Sequence, residues 1–224
     1  MDLNSAIKII VFDFDDTLVK SERIKKEAFA TIFYQVDGAV DVVRDFVRNS
    51  LPLPRLAMIR EILKLLCGRN LLSIAAIDFS ATVDDYLIRY GKLVEDLVLA
   101  AEEVSGAVDT LRTLSAEYPL YLNSATPQDS ISRIIIKKNW GIFFKGVYGS
   151  PPGTKLSNLR KIIADENLFG REVLVVGDRE SDRKSADECD CKFIGVRGEF
   201  NNFTESPSLI LDNLSELVPL IKCL

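Results

Sequence analysis

The chain has 224 residues, beyond the usual single-domain size, and 47% of them are apolar, ample for a packed interior. A formal net charge of −5 and the lack of any long basic run argue against a nucleic-acid partner. The chain contains no histidine, which excludes imidazole acid–base chemistry, Ser-His-Asp triads and His-ligated zinc; any catalysis must run on carboxylates, Lys, Arg, Ser, Thr, Tyr or Cys.

At the N-terminus no basic region leads into an apolar stretch and a cleavage site, so no signal peptide is expected. No apolar run is long enough to span a membrane. The first predicted element is a buried strand over Ile7-Lys8-Ile9-Ile10-Val11-Phe12. Asp13-Phe14-Asp15-Asp16-Thr17 follows it directly. Asp13 and Asp15, two residues apart just past a strand end, can converge on one small volume. Crowded carboxylates repel, so a cation, a shared proton or both must compensate. A carboxylate nucleophile, a carboxyl acid–base and Mg²⁺ acting together on a phosphate ester require that arrangement. The plainer reading is an acidic loop capping the next helix, since Asp and Thr are good cap residues.

Residues 20–105 read as mostly helical. Lys20 to Tyr34 alternates charged and apolar positions at helical spacing. Leu56, Ile59, Ile62, Leu63 and Leu66 share one helix face. Tyr86, Leu87, Tyr90, Leu93, Val94, Leu97 and Val98 form a second stripe, in a helix expected over 82–104. Between the stripes, Cys67-Gly68-Arg69-Asn70 is a polar break. Gly68 there suits a helix C-terminus that leaves Arg69 in solvent.

From residue 106 helices and strands alternate: helix 108–117, strand 120–123, helix 129–140, strand 146–148, helix 157–166, strand 173–176, short strands 192–196 and 209–211, and a terminal helix 214–222. This alternation argues for a parallel α/β sheet. The strand at 120–123 ends in Ser124, after which Ala125-Thr126-Pro127 turns the chain into a helix. A serine there either hydrogen-bonds a phosphoryl oxygen, with nearby backbone N–H groups pointing the same way, or caps the helix. Lys155 ends the stiff segment Ser150-Pro151-Pro152-Gly153-Thr154, as a positioned point charge or as one more surface lysine. Gly177-Asp178-Arg179-Glu180-Ser181-Asp182 follows the apolar strand 173–176. A strand, then Gly-Asp, then a second Asp four residues on suits a metal site at the carboxyl edge of a parallel sheet. Mg²⁺ prefers hard oxygen ligands and usually takes one or two carboxylates, which Asp13 and Asp178 could supply with Asp182 bracing them. Asp178 and Asp182 could equally cap the helix that begins near Ser181. Cys67, Cys189, Cys191 and Cys223 show no disulfide-like or zinc-like spacing, and the Cys189–Cys191 pair reads as ordinary packing; a reducing cytoplasm is expected.

Together and in order, these pieces resemble the motifs of the haloacid dehalogenase-like (HAD) superfamily of hydrolases, in its branch of phosphoglycolate phosphatases and beta-phosphoglucomutases with a helical cap. Asp13 and Asp15 match the first motif, Ser124 the second, Lys155 the third, and Asp178 with Asp182 the fourth. The resemblance covers the whole chain. It implies a Rossmann-like parallel-sheet core over 1–19 and 106–224 and a helical cap domain inserted at 20–105. It also implies Mg²⁺ held by Asp13, the backbone carbonyl of Asp15, and Asp178. Asp13 would attack phosphorus and form an aspartyl phosphate. Asp15 would protonate the departing alcohol and then activate water. Ser124, Ala125 and Lys155 would bind the phosphoryl group.

The superfamily's phosphatases and mutases carry an acid at the Asp15 position and its dehalogenases do not; an alkoxide needs a proton to leave and a halide does not. The expected activity is therefore Mg²⁺-dependent hydrolysis of a small phosphate monoester. Arg69 lies where the family's cap often presents a substrate loop, and is the candidate for meeting an anionic leaving group. Several positions depart from the branch's pattern: Lys25 near the site of a mutase histidine, Lys20-Ser21 for Asp-Ser, Leu156 for a proline, and Asp190 for a glycine. The alternatives are a phosphomutase of the beta-phosphoglucomutase type and a non-catalytic regulatory or interaction module, the second disfavoured by the intact acidic set. A cytoplasmic monomer or homodimer, with no nucleic-acid or membrane partner, completes the expectation.

Overall fold

A computed structural model describes residues 6–51 and 53–222; Cys223 lies outside them. Strand β1 (Ile9–Phe12) is apolar throughout and buried along its whole length, as a central strand of a parallel sheet must be. It is joined by β2 (Leu120–Asn123), β3 (Phe144–Tyr148), β4 (Val173–Gly177), β5 (Lys192–Val196) and β6 (Ile210–Leu211). The order is β3-β2-β1-β4-β5-β6 and every neighbouring pair is parallel. The fold is thus α/β and Rossmann-like. The chain winds outward from β1 to β3 and then restarts at β4 on the other side. Successive connections diverge between β1 and β4, and a crevice opens there at the carboxyl edge. Phe12 is level with Leu122 on one side and Val176 on the other, so the residues following all three strands emerge together.

The chain divides into two compact units, Glu22–Ala100 and a sheet unit joining the segment that ends at Ser21 to the one that begins at Ala101. The helical unit contains α1 (Glu22–Thr31), α2 (Ala39–Asn49), α3 (Arg55–Gly68) and α4 (Phe79–Leu99). Ile59, Ile62, Leu63 and Leu66 of α3 are buried, as their spacing predicts, whereas Leu56 on the same stripe is exposed. On α4 the buried positions are Val83, Tyr86, Tyr90, Val94 and Val98, and Leu97 is exposed. Phe29 stacks on Tyr90 with ring centroids 4.2 Å apart, and Phe33 on Tyr86 at 4.3 Å.

Two features of this unit depart from expectation. Helix α2 was not singled out by the sequence, although Ala39, Val43 and Val47 lie buried on one face at four-residue intervals. Helix α4 stops at Leu99 instead of running to residue 104, because the segment beyond it hydrogen-bonds extended backbone. Glu102 O accepts from Lys20 N–H at 2.9 Å, Leu18 O accepts from Val104 N–H at 2.9 Å, and Val19 bridges Glu103.

The sheet unit adds α5 (Ala107–Leu114), α6 (Gln128–Lys137), α7 (Lys155–Asp165), α8 (Glu180–Asp187) and α9 (Leu217–Ile221). Ile9 and Val11 of β1 and Val173 and Val175 of β4 pack against Leu159 and Ile162 of α7 and Ala186 of α8. That packing fixes α7 and α8 against the sheet with their first turns at its carboxyl edge. Lys155 opens α7 and does not end a loop; Thr154 caps the helix, its Oγ1 accepting the Ser157 N–H at 3.1 Å. No helix among the described residues is long and apolar enough to cross a membrane.

Candidate active site

Asp13 is the first residue past β1, and its N–H extends the ladder to Val176 O at 2.9 Å. Its carboxylate is buried, with 3% of the residue exposed, so it needs partners. Lys155 Nζ donates to Asp13 Oδ1 and to Asp182 Oδ1, each at 2.6 Å, and Thr17 Oγ1 donates to Asp13 Oδ2 at 3.3 Å. Burial works against the charge on Lys155, but Asp13 and Asp182 outweigh it and hold the ammonium above its ordinary range. The lysine is therefore a fixed cation shared by two acids from different loops. Asp182 also accepts the Arg179 N–H at 3.2 Å, the bond of a residue closing the first turn of α8. The capping and bracing readings of Asp182 thus coexist.

Asp15 is set by a tight turn in which Asp16 adopts a φ of 56° and donates its N–H to Val19 O at 2.7 Å. Three hydroxyls surround the Asp15 carboxylate. Ser21 Oγ donates to Oδ1 at 2.5 Å, Thr126 Oγ1 to Oδ2 at 3.0 Å, and Ser124 Oγ lies 3.5 Å from Oδ2. Ser124 Oγ also accepts the Thr126 N–H at 3.0 Å, which shapes the turn after β2; the residue preceding α6 is Pro127, so Ser124 is not that helix's cap. Ala125 is exposed beside it.

Asp178 follows β4 and is fully buried. The glycine before it is required. A Cβ on Gly177 would lie 2.6 Å from the Asp182 Cβ, so only glycine lets α8 bring Asp182 this close. Arg179 Nε donates to Asp178 Oδ2 at 3.1 Å, while Oδ1 is buried and meets no donor. Burial raises the Asp178 carboxyl to about 9, Asp13 adds to the rise and Arg179 opposes it. Asp182 is raised by burial to about 6, against the pull of Lys155. Oxygens of Asp13, Asp178 and Asp182 all lie within 4.8 Å of one another. A buried carboxylate oxygen without a donor, inside a group of hard oxygens short of positive charge, fits a divalent cation of the Mg²⁺ type.

The carboxyl edge of the sheet thus brings Asp13, Asp15, Ser124, Lys155, Asp178 and Asp182 together from four loops. Arg69 belongs to the helical unit. Its N–H closes α3 by donating to Leu65 O at 3.0 Å, and its side chain lines a surface pocket with Asp41, Asp45 and Asn49. Ser21, Thr126 and Arg179 contact the acidic residues without having been assigned that role from sequence. The signal available for Thr126 and Arg179 was adjacency to Ser124 and Asp178. Cys67, Cys189 and Cys191 form no disulfide, and burial pushes the Cys191 thiol up to about 12, an inert group packed against the core.

A doubly wound sheet whose carboxyl edge gathers carboxylates, a lysine and a serine defines a class of hydrolase. Residues 10–196 match the family model described as haloacid dehalogenase-like hydrolase, and the chain belongs to that family. It is 24% identical over 230 residues to a phosphoglycolate phosphatase of Pseudomonas fluorescens (strain Pf0-1), an alignment covering 95% of this chain and 79% of the relative. A candidate beta-phosphoglucomutase of Thermotoga maritima shares the fold with a TM-score of 0.73 at 15% identity, over 97% of this chain and all of the other. A candidate HAD-hydrolase of Bacillus subtilis, bound to magnesium, gives a TM-score of 0.66 at 14% identity, over 97% and 99% of the two chains.

Proposed function

We propose that the protein is a Mg²⁺-dependent phosphatase that hydrolyses a small phosphate monoester through an aspartyl phosphate on Asp13. The observation that carries this reading is the division of labour between two carboxylates on one loop. Asp13 sits against the Lys155 cation and the acidic cluster, whereas Asp15 sits among hydroxyls on the side of Ser124. The phosphatase relative and the magnesium-bound fold neighbour support it from outside the chain.

Asp13 and Asp178, with the main-chain carbonyl of Asp15, would hold the cation, which when bound neutralises charge on the phosphoryl group and on the crowded carboxylates. Asp13 supplies the attacking oxygen. Lys155 orients that carboxylate through its 2.6 Å contact and offers its positive charge to the equatorial phosphoryl oxygens. Ser124 donates its hydroxyl to the same group. Asp15 protonates the leaving alkoxide and then takes a proton from the water that cleaves the aspartyl phosphate. Ser21 and Thr126 hold Asp15 between these steps. Because such transition states are loose, positioning and charge neutralisation supply most of the acceleration. The helical unit, Glu22–Ala100 within the cap expected over 20–105, takes leaving-group selection as its role, with Arg69 the candidate contact for an anionic one. We place the enzyme in the cytoplasm, in keeping with its free cysteines.

A panel of small phosphate esters, assayed for phosphate release with Mg²⁺, with Ca²⁺ and with EDTA, tests the reading. Release is expected with Mg²⁺, loss in EDTA, and poor rescue by Ca²⁺, whose larger and looser shell misplaces the nucleophile. Undiminished activity in metal-free protein would overturn it. Isomerisation of a sugar phosphate that depends on a bisphosphate activator, with little free phosphate, would instead identify a mutase.

A further inference from the structure

The loop between β5 and β6 carries none of the residues assigned above, yet it is bonded to the Asp178 turn at several points. Phe203 packs edge-on to Phe193 of β5 with centroids 6.0 Å apart. Asn202 Oδ1 accepts the Glu180 N–H at 3.0 Å, and Thr204 Oγ1 donates to Glu180 Oε1 at 2.7 Å. Glu180 is in turn gripped by Arg183, whose Nη2 and Nε lie 2.6 and 2.9 Å from its two oxygens.

Asn201 makes the most specific of these contacts. The β4–β5 ladder ends at the pair Gly177 and Gly195. One residue further, the carbonyls of Asp178 and Val196 have run out of ladder. Asn201 Nδ2 donates to both, at 2.7 and 3.0 Å, while its Oδ1 accepts the Gly198 N–H at 2.8 Å. One side-chain amide thereby uses both donors and its acceptor on backbone groups. The same loop runs beside the first acidic turn, since a Cβ on Gly198 would lie 3.8 Å from the Asp16 Cβ.

Resting on the phosphatase reading, we propose that Asn201 is a positioning residue for Asp178. It continues the sheet's hydrogen bonding where the strands stop, and so fixes the backbone from which the Asp178 carboxylate projects. Asp178 Oδ1 has no donor of its own to hold it. Its direction depends on the Arg179 contact at Oδ2 and on the main chain that Asn201 secures. Partners beyond the ligands of a metal typically govern affinity by about 10–100-fold.

The test is Mg²⁺ titration calorimetry on wild type, Asn201→Ala and Asn201→Ser, with the Mg²⁺ dependence of turnover measured alongside. Asn201→Ser adds no charge near the acidic cluster and is too short to reach both carbonyls, while its hydroxyl leaves a polar group in the space, so it carries the test if Asn201→Ala does not fold. Mg²⁺ affinity is expected to fall about 10-fold or more, with kcat recovering to within a few-fold of wild type at saturating Mg²⁺. A merely structural role would lower the folded fraction and leave the Mg²⁺ constant of the remainder unchanged. Wild-type Mg²⁺ affinity in a folded variant would overturn the proposal for Asn201 alone. Absence of Mg²⁺ binding by the wild type would overturn the metal reading beneath it.

Discussion

The sheet unit and the helical unit differ most in what they bury. Among the described residues, Asp13, Asp178, Glu180, Asp182, Ser124, Thr126 and the other buried polar side chains all lie in the sheet unit; the helical unit buries only aliphatic, Met and Tyr/Phe side chains. Burying charge is costly unless it is paired, and a protein selected only to fold has no use for three acids at one sheet edge. The helical unit needs nothing beyond packing to explain its interior. Its stacked pairs, Phe29 on Tyr90 and Phe33 on Tyr86, are a means of stability. Buried charge and apolar packing are thus segregated along the chain, and a substitution's effect should depend on the unit it falls in.

The largest effect is expected at Asp13. Asp13→Asn is nearly isosteric and cannot attack phosphorus, so turnover should fall on the order of 10⁴-fold or more while the fold survives. Purified, folded Asp13→Asn with substantial Mg²⁺-dependent hydrolysis would break the assignment of chemistry to this edge. Lys155→Met comes next. It leaves Asp13 and Asp182 without their shared cation, which should slow turnover by about 10²–10³-fold and cost about 3–5 kcal/mol of stability. Denaturant unfolding and steady-state kinetics on one preparation measure both; a loss of activity without loss of stability would mean that the pair does not hold the edge together.

A pH series sharpens the contrast by following the one acid of the sheet edge that burial raises furthest. In the unfolded chain Asp178 titrates near its ordinary value of 3.8, whereas burial, with help from Asp13, raises it to about 9 in the fold. Between those values the folded protein binds the extra proton, so its contribution to stability is full at low pH and lost as pH rises towards 9. Mg²⁺ favours the ionised carboxylate and should flatten that slope. Urea midpoints at pH 5, 7 and 9, in EDTA and in Mg²⁺, measure it, and parallel slopes in the two would contradict the proposed metal site. The smallest effect is expected in the helical unit. Ile62→Val in the α3 core should cost about 1 kcal/mol and leave kcat within a few-fold of wild type. A large fall in kcat there would mean that the helical unit does more than pack and select.

Much of the sheet edge was legible because the signals are local. Apolar runs of strand length end at Asp13, Ser124 and Asp178, and parallel α/β topology puts all strand ends on one edge. The partners that hold these groups were not legible. Thr126 reaches Asp15 and Asn201 reaches Asp178 across 111 and 23 residues, and no short pattern encodes such contacts before the sheet order is known. Helix α2 was hidden by charged residues between its buried valines. Helix α4 was read too long because Ala100-Ala101-Glu102-Glu103 has the composition of a helix, while its backbone pairs with residues 18–20.

The central claim, an aspartyl phosphate on Asp13 with Asp15 as acid and base, is tested most directly with Asp15→Asn and two substrates. Nitrophenolate leaves without a proton, so p-nitrophenyl phosphate should still phosphorylate the variant, whereas an alkyl phosphate should react far more slowly. The water step lacks its base with either substrate, so the intermediate should accumulate. Rapid-quench kinetics should give a burst of one nitrophenolate per site, and borohydride trapping followed by mass spectrometry should place the acyl phosphate on Asp13. Absence of both burst and label, or equal slowing of phosphorylation with the two substrates, would contradict the assigned roles of Asp13 and Asp15.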